Sequence, residues 1–171
     1  MKRRDDNIFL SETKKGEPVD ELDAADLHIL NLLQQDGRMP HAELAAHVGL
    51  AAPTVQRRVR LLEERGYIKG YTAILDPLRL GLTVTAFIFI ETRAGCDLET
   101  VGAFLKTLPG IQEVQHLFGE WCFLIKVRTR SPQTLERLVY QDLRKHQDVR
   151  RTQTILAPSS ALESTRLPLG E

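Results

Sequence analysis

At Thr83 the spacing of apolar residues changes, and that change constrains the fold more than any other feature of the chain. From Leu22 to Gly66 apolar side chains recur at helical spacing, whereas TVTAFIFIE, which starts at Thr83, alternates with a period of two. The chain is therefore expected to fold as two units. In the alternating segment both sets are apolar, Val84, Ala86, Ile88 and Ile90 on one face and Phe87 and Phe89 on the other. A half-exposed antiparallel strand would show one polar face. Both faces are thus expected to be covered, one by helices and the other by a partner sheet.

The first unit reads as three helices and a small wing. Asp23 and Asp26 are spaced as a capping pair ahead of Leu27, Leu30 and Leu33, and the first helix stops at QDGR. A second, short helix starts near Pro40, carries Leu44 and Val48, and ends at Gly49. The third starts near Pro53, a residue suited to a first helical turn, and buries Val55, Val59 and Leu62 before Gly66 ends it. YIKGY and YTAIL then predict two short strands broken at Gly70. The boundaries expected are a flexible leader over residues 1–20, a first domain over 21–75, a linker over 76–82 and a second domain over 83–171.

In the second domain the strand from Thr83 is followed by a helical stripe of Leu98, Val101, Leu105 and Leu108. IQEVQHLF, the turn GEW and CFLIKVRT predict a hairpin. Ser131 and Pro132 open a helix bearing Leu135, Val139 and Leu143, and VRRTQTILA supplies a last strand that Pro158 shortens. The order βαββαβ is the ferredoxin-like motif, so the fold class expected is α+β.

The helix after Gly49 carries the functional signal. Helix, glycine turn, helix is the geometry of a helix-turn-helix, whose second helix lies in the major groove. With Val55, Val59 and Leu62 inward, Thr54, Gln56, Arg57 and Arg60 point away from the core near the helix start. Arginine suits guanine, glutamine suits adenine, and a threonine methyl suits thymine. Arg38, Arg58 and Lys69 are better placed for phosphates, which position a protein without reading sequence. A solvated helix face, its arginines paired with Glu63 and Glu64, is the simpler alternative that these residues must be weighed against.

Charge limits how such a helix could work. The whole chain has 23 basic and 23 acidic residues, so no global field draws it to DNA. Between residues 38 and 70 there are six Lys/Arg against three acids. One copy with that surplus would bind weakly, and two copies on a palindromic site much better. No apolar run reaches the roughly 18 residues of a membrane span, and Cys96 and Cys122 are too few for a zinc site or a disulfide framework. A cytoplasmic protein without metal or cofactor is expected.

The segments LDAADLHILNLLQQDGR, ELAAHVGL and RRVRLLEERGYIKGYTAILDPLRLG, followed by the βαββαβ half, resemble the Lrp/AsnC family of feast/famine regulators over about residues 22–169. The resemblance implies a winged helix-turn-helix followed by a ferredoxin-like regulation domain. It also implies a nucleoid-associated regulator that binds double-stranded DNA as a homodimer, its sheets face to face, with dimers often assembling into octamers. An amino-acid effector is implied near the turn of the hairpin, which here is Phe118, Gly119, Glu120, Trp121 and Cys122. Three departures stand out. Pro40 and Ala51 occupy cap positions where the family usually has Ser or Thr, Cys122 stands where it often has a second acid, and Pro158 interrupts the tail.

Two other readings follow from the same residues. An architectural DNA-binding protein without an effector would bind with little sequence preference. An enzyme resembling the siroheme decarboxylases would use His116 near the hairpin, yet no arginine lies between His116 and Phe123 to meet a substrate carboxylate.

Overall fold

Two separate hydrophobic cores organise the chain. The computed structural model describes residues 22–169, and they divide into a first unit of residues 22–73 with 165–169 and a second of residues 74–164. The leader expected over residues 1–20 lies outside the described residues.

In the first unit α1 spans Ala24–Gln35, α2 His41–Val48 and α3 Ala52–Glu64. Asp23 caps α1 by accepting from the Asp26 N–H at 2.8 Å, and Asp26 accepts in return from the Asp23 N–H at 3.4 Å. Each bond satisfies a backbone donor that a helix start leaves without an intrahelical partner. Pro40 and Ala51 make no side-chain cap, as their chemistry requires. Gly49, at φ 72°, takes the left-handed conformation that turns the chain from α2 into α3. The core is Ile29, Leu30, Leu32, Leu44, Val55, Val59 and Leu62. Leu27 and Leu33, expected inside, are half-buried. Since α1 packs on α2 and α3 together, its inward face turns toward Ile29 and Leu32.

The two-stranded wing expected over residues 67–75 does not form; the segment has no strand pairing. Each arm would hold only four or five residues, and a short hairpin needs a surface to lie on. Within one chain Ile74 is 93% exposed, so no such surface of the same chain covers it. Tyr71 holds the segment instead, donating from its hydroxyl to Glu63 at 3.0 Å.

The last five described residues belong to this unit, not to the domain expected over residues 83–171. Leu169 packs against the helical core, and Gln34 and Asn31 of α1 bond the backbone of Leu167 and Leu169.

The second unit is a four-stranded antiparallel sheet ordered β2-β3-β1-β4, with β1 Val84–Thr92, β2 Ile111–His116, β3 Phe123–Thr129 and β4 Val149–Leu156. Helix α4, Leu98–Thr107, and helix α5, Pro132–Arg137, complete the ferredoxin-like order. Asp97 and Ser131 cap them by accepting from Glu99 N–H and Thr134 N–H. A π-helical turn, Leu138–Leu143, prolongs α5 and sends Leu138, Val139 and Leu143 into the core. β1 lies between β3 and β4, pairing Ile88 with Ile125 on one side and Thr154 on the other. Ala86, Ile88 and Ile90 are fully buried among Val101, Leu105, Phe123, Ile125 and Val127.

Only that face of β1 is covered as expected within one chain. On the other, Phe87, Phe89 and Leu124 are half-buried and Ile155 is 45% exposed. Residues beyond β4 shelter part of it, where Glu163 accepts from Lys126 and Arg128.

Gly110 joins α4 to β2 where the backbone comes closest to β3. Its φ is 78°, its carbonyl accepts from Arg128 N–H at 2.9 Å, and an added Cβ would meet the Arg128 carbonyl oxygen at 2.3 Å. Gly110→Ala would combine a left-handed backbone penalty with that clash. It is expected to cost at least about 2 kcal/mol and to lower Tm by roughly 5 °C in a thermal melt. An unchanged Tm would show that the turn can relax.

Candidate nucleic-acid interface

Helix α3 sorts its side chains by face. Val55, Val59 and Leu62 are buried, while Gln56, Arg57 and Arg60 are exposed and Thr54 is half-buried. Gln56 and Arg57 lie in the second turn, the part of a recognition helix that meets base edges, and Arg60 follows in the third. Lys69, beyond α3, and Arg38, between α1 and α2, are also exposed. The Arg38 N–H donates to Asp36 at 2.8 Å, which shapes the α1–α2 turn and leaves the guanidinium outside it.

Arg60 donates to Glu64 at 2.7 Å, one turn on, and that pairing raises its pKa. Both side chains are more than half exposed, so the bond is screened by water. A phosphate or a guanine edge could replace Glu64 at little cost.

Arg58 is different. Its guanidinium lies 2.7 Å from Asp26 and 2.8 Å from Asp23, with 26% of the side chain exposed. The bond to Asp26, then that to Asp23, raises its pKa. The Asp23 carboxyl is held below the usual carboxylate range, first by the Asp26 N–H and then by Arg58. Arg58 therefore joins α3 to the capped start of α1. This geometry argues against the phosphate contact expected for Arg58, because reaching DNA would leave Asp26, only 18% exposed, without its cation. The sequence signal was present in the Asp23–Asp26 pair, whose charge asks for a counterion.

Tyr71 also has a shifted pKa. Burial, followed by its bond to Glu63, pushes its pKa up to about 12.

The hairpin turn of the second unit is closed by the Leu117 N–H donating to the Cys122 carbonyl at 2.9 Å. Glu120 accepts from Arg151, which stacks 4.4 Å over the Trp121 ring and also donates to Glu91 at 2.9 Å. Trp121 in turn meets Phe89, ring centroids 5.8 Å apart. The Cys122 thiol accepts from the Thr92 hydroxyl at 3.2 Å. Beside the turn is a cleft of about 390 Å³ lined by Glu120 and Cys122 together with Glu91, Thr92, Arg93, Cys96 and Arg150. Phe118, Gly119 and Trp121 do not line it. Glu91, Arg93 and Arg150 were missed from sequence because they come from the end of β1 and the start of β4, which only the sheet brings together. Among the described residues no group of three His, Cys, Asp or Glu side chains could hold a metal ion.

Comparison with known proteins places both halves. Residues 22–69 match the winged helix-turn-helix DNA-binding family model, and residues 85–167 match the Lrp/AsnC ligand-binding domain. Over 152 residues, 89% of this chain and 97% of the relative, the sequence is 35% identical to the HTH-type transcriptional regulator FL11 of Pyrococcus horikoshii. The chain belongs to the Lrp/AsnC family. It is 34% identical to the leucine-responsive regulatory protein of Escherichia coli over 155 residues, 90% of this chain and 94% of that one. Among solved structures it is similar to a Neisseria meningitidis transcriptional regulator in complex with L-Met, with TM-score 0.84 and 29% identity over 87% of this chain and 97% of that one. Escherichia coli AsnC superposes with TM-score 0.80 at 27% identity, covering 85% of this chain and 98% of that one. This Lrp/AsnC protein is thus a DNA-binding transcriptional regulator, as the sequence motifs implied. Within the described residues no helix is long and apolar enough to cross a membrane.

Arg58→Ala is expected to destabilise the first unit by about 1–2 kcal/mol, since it strands a partly buried carboxylate. Arg57→Ala should leave the melt within about 0.5 kcal/mol. Equal melts for the two variants would remove the structural role given to Arg58. For Tyr71, a raised folded pKa means stability that is present below the ordinary phenol value of about 10 and is lost as pH rises toward about 12. Denaturant melts across that window should show the loss, and Tyr71→Phe should flatten it.

Proposed function

We propose that this protein is a sequence-specific regulator that reads a palindromic operator as a homodimer and responds to an amino acid. The observation that carries the DNA reading is the face of α3, where Gln56, Arg57 and Arg60 stand exposed over a buried Val55–Val59–Leu62 stripe. Gln56 and Arg57 are assigned to base edges, and Arg60 exchanges Glu64 for a base or phosphate. Thr54, half-buried, contributes its methyl or hydroxyl at the helix start. Arg38 and Lys69 anchor phosphates on either side of α3. Arg58 is assigned to the fold and not to the DNA.

The half-covered sheet face supports the homodimer. Phe87, Phe89, Leu124 and Ile155 present apolar surface that a second sheet would bury. For the effector, the cleft holds Glu120 and Glu91, which would exchange Arg151 and Arg150 for an ammonium, and Arg93 and Arg150, which would meet a carboxylate. Cys122 brings a thiol and not a carboxylate to the cleft, so Glu120 is the residue given the ammonium, with Glu91 beside it. That donor set fits a zwitterion, which favours the effector-responsive reading over an architectural one. No reaction is assigned to the protein: the His116 ring packs edge-on against Phe123, centroids 4.4 Å apart, beside Gly102. Action in the cytoplasm, on the nucleoid, follows from this reading.

Arg57→Ala is expected to weaken operator binding by about 1–3 kcal/mol and to relax preference at one base pair, measured by fluorescence anisotropy on operator and mismatched duplexes. Equal weakening on every duplex would place Arg57 on phosphate, and no weakening would remove α3 as the recognition helix. In a thermal-shift screen of the twenty amino acids, an effector at about 100 times its Kd should add about 2.7 kcal/mol. Glu120→Gln should abolish that shift. Twenty flat traces would favour the architectural alternative.

A further inference from the structure

The C-terminal segment of the described chain folds back as part of the first unit, some 130 residues after the helix it touches. Gln34 bonds both backbone groups of Leu167: its amide Nε2 donates to the Leu167 carbonyl at 3.2 Å, and its Oε1 accepts from the Leu167 N–H at 2.6 Å. Asn31, three residues earlier and so on the same face of α1, donates to the Leu169 carbonyl at 3.3 Å. Leu169 packs its side chain, half-buried, against the three-helix core. This is the way an extended peptide is gripped: hydrogen bonds to its backbone for affinity, and an apolar side chain against the core for register.

Sequence prepares the segment for that role. Pro168 lies between the two leucines, so its own φ is fixed and Leu167 is biased to extended backbone. Less freedom is lost on docking than for an ordinary tail. The ligand-binding family match stops at residue 167, two residues before Leu169.

We propose that residues 167–169 are a ligand in cis for the Asn31–Gln34 face of α1, and that operator affinity depends on their docking. The dependence on DNA rests on the regulator reading above; the docking does not. The physical route is short. α1 is bonded to the recognition helix through Asp23 and Asp26 to Arg58, so an arm that stiffens α1 stiffens the seat of α3.

Docking is tested by crosslinking in the full chain. Asn31→Cys with Leu169→Cys, in a background of Cys96→Ser and Cys122→Ser, should oxidise to a monomer-sized disulfide species on a non-reducing gel. A dimer-sized species would overturn the cis assignment in favour of a second copy. No more disulfide than in the single-cysteine controls would overturn docking itself. The consequence is tested with a chain ended after Ser164 and, in case that chain fails to fold, with the full-length Gln34→Ala variant. Either should exchange α1 amide hydrogens faster and bind operator about fivefold more weakly, the loss of roughly one good hydrogen bond. Faster exchange with unchanged affinity would overturn the coupling to DNA. Unchanged exchange would overturn the arm's role in α1, whether or not the regulator reading holds.

Discussion

The arrangement of the DNA-binding unit depends on a cation that reaches from one helix to the start of another. Arg58 leaves the middle of α3 toward the start of α1, where Asp23 and Asp26 have already bonded each other's backbone. The capping box satisfies helix donors and also concentrates two negative charges at one point. Arg58 neutralises that point and crosses between helices in doing so. The three-helix core is small, so a charged bond at its edge does work that a larger core would leave to packing. Once α1 and α3 are joined there, the Val55–Val59–Leu62 stripe has one orientation, and the exposed face of α3 follows from it.

Much of this was legible in the sequence, and what was missed has a common cause. Helix starts and stops were legible because caps and glycines act locally: Asp23, Gly49, Ser131 and Gly66 do their chemistry within a few residues of themselves. The βαββαβ order was legible from period alone. Features set by distant neighbours were not. The face of α1 that goes inward is decided by α2 and α3, so Ile29 and Leu32 displaced Leu27 and Leu33. The wing was overread because YIKGY and YTAIL have strand composition without a surface to cover. The tail was assigned to the wrong unit because nothing within LPL says which apolar surface, among those 130 residues away, it will choose. In the cleft beside the hairpin turn, Glu120 and Cys122 could be placed by counting along the hairpin, but Arg93 and Arg150 arrive through the pairing of β1 with β4.

The same contrast separates the two faces of the sheet. On the helix side, Ala86, Ile88 and Ile90 alternate against Phe123, Ile125 and Val127 and are sealed. On the other, aromatic residues lie beside charges that have partners: Phe89 by Trp121, Trp121 under Arg151, and Lys126 and Arg128 held by Glu163. Such a surface can wait in water without the penalty of bare hydrocarbon and still present enough apolar area to another sheet.

A chain with no net charge can present a cationic face only if the acids near that face have partners of their own. In this unit each acid near α3 has an internal task. Asp23 and Asp26 hold Arg58, Glu63 accepts from Tyr71, and Glu64 rests on Arg60. The bonds differ in how readily they yield. The pair with Arg58 is half sheltered and would strand a carboxylate if broken. That between Arg60 and Glu64 is exposed on both sides, worth no more than about 1 kcal/mol, and competes poorly with a phosphate. Neutrality overall and a local cationic face are therefore compatible: the cations nearest the solvent are those whose counterions are easiest to replace.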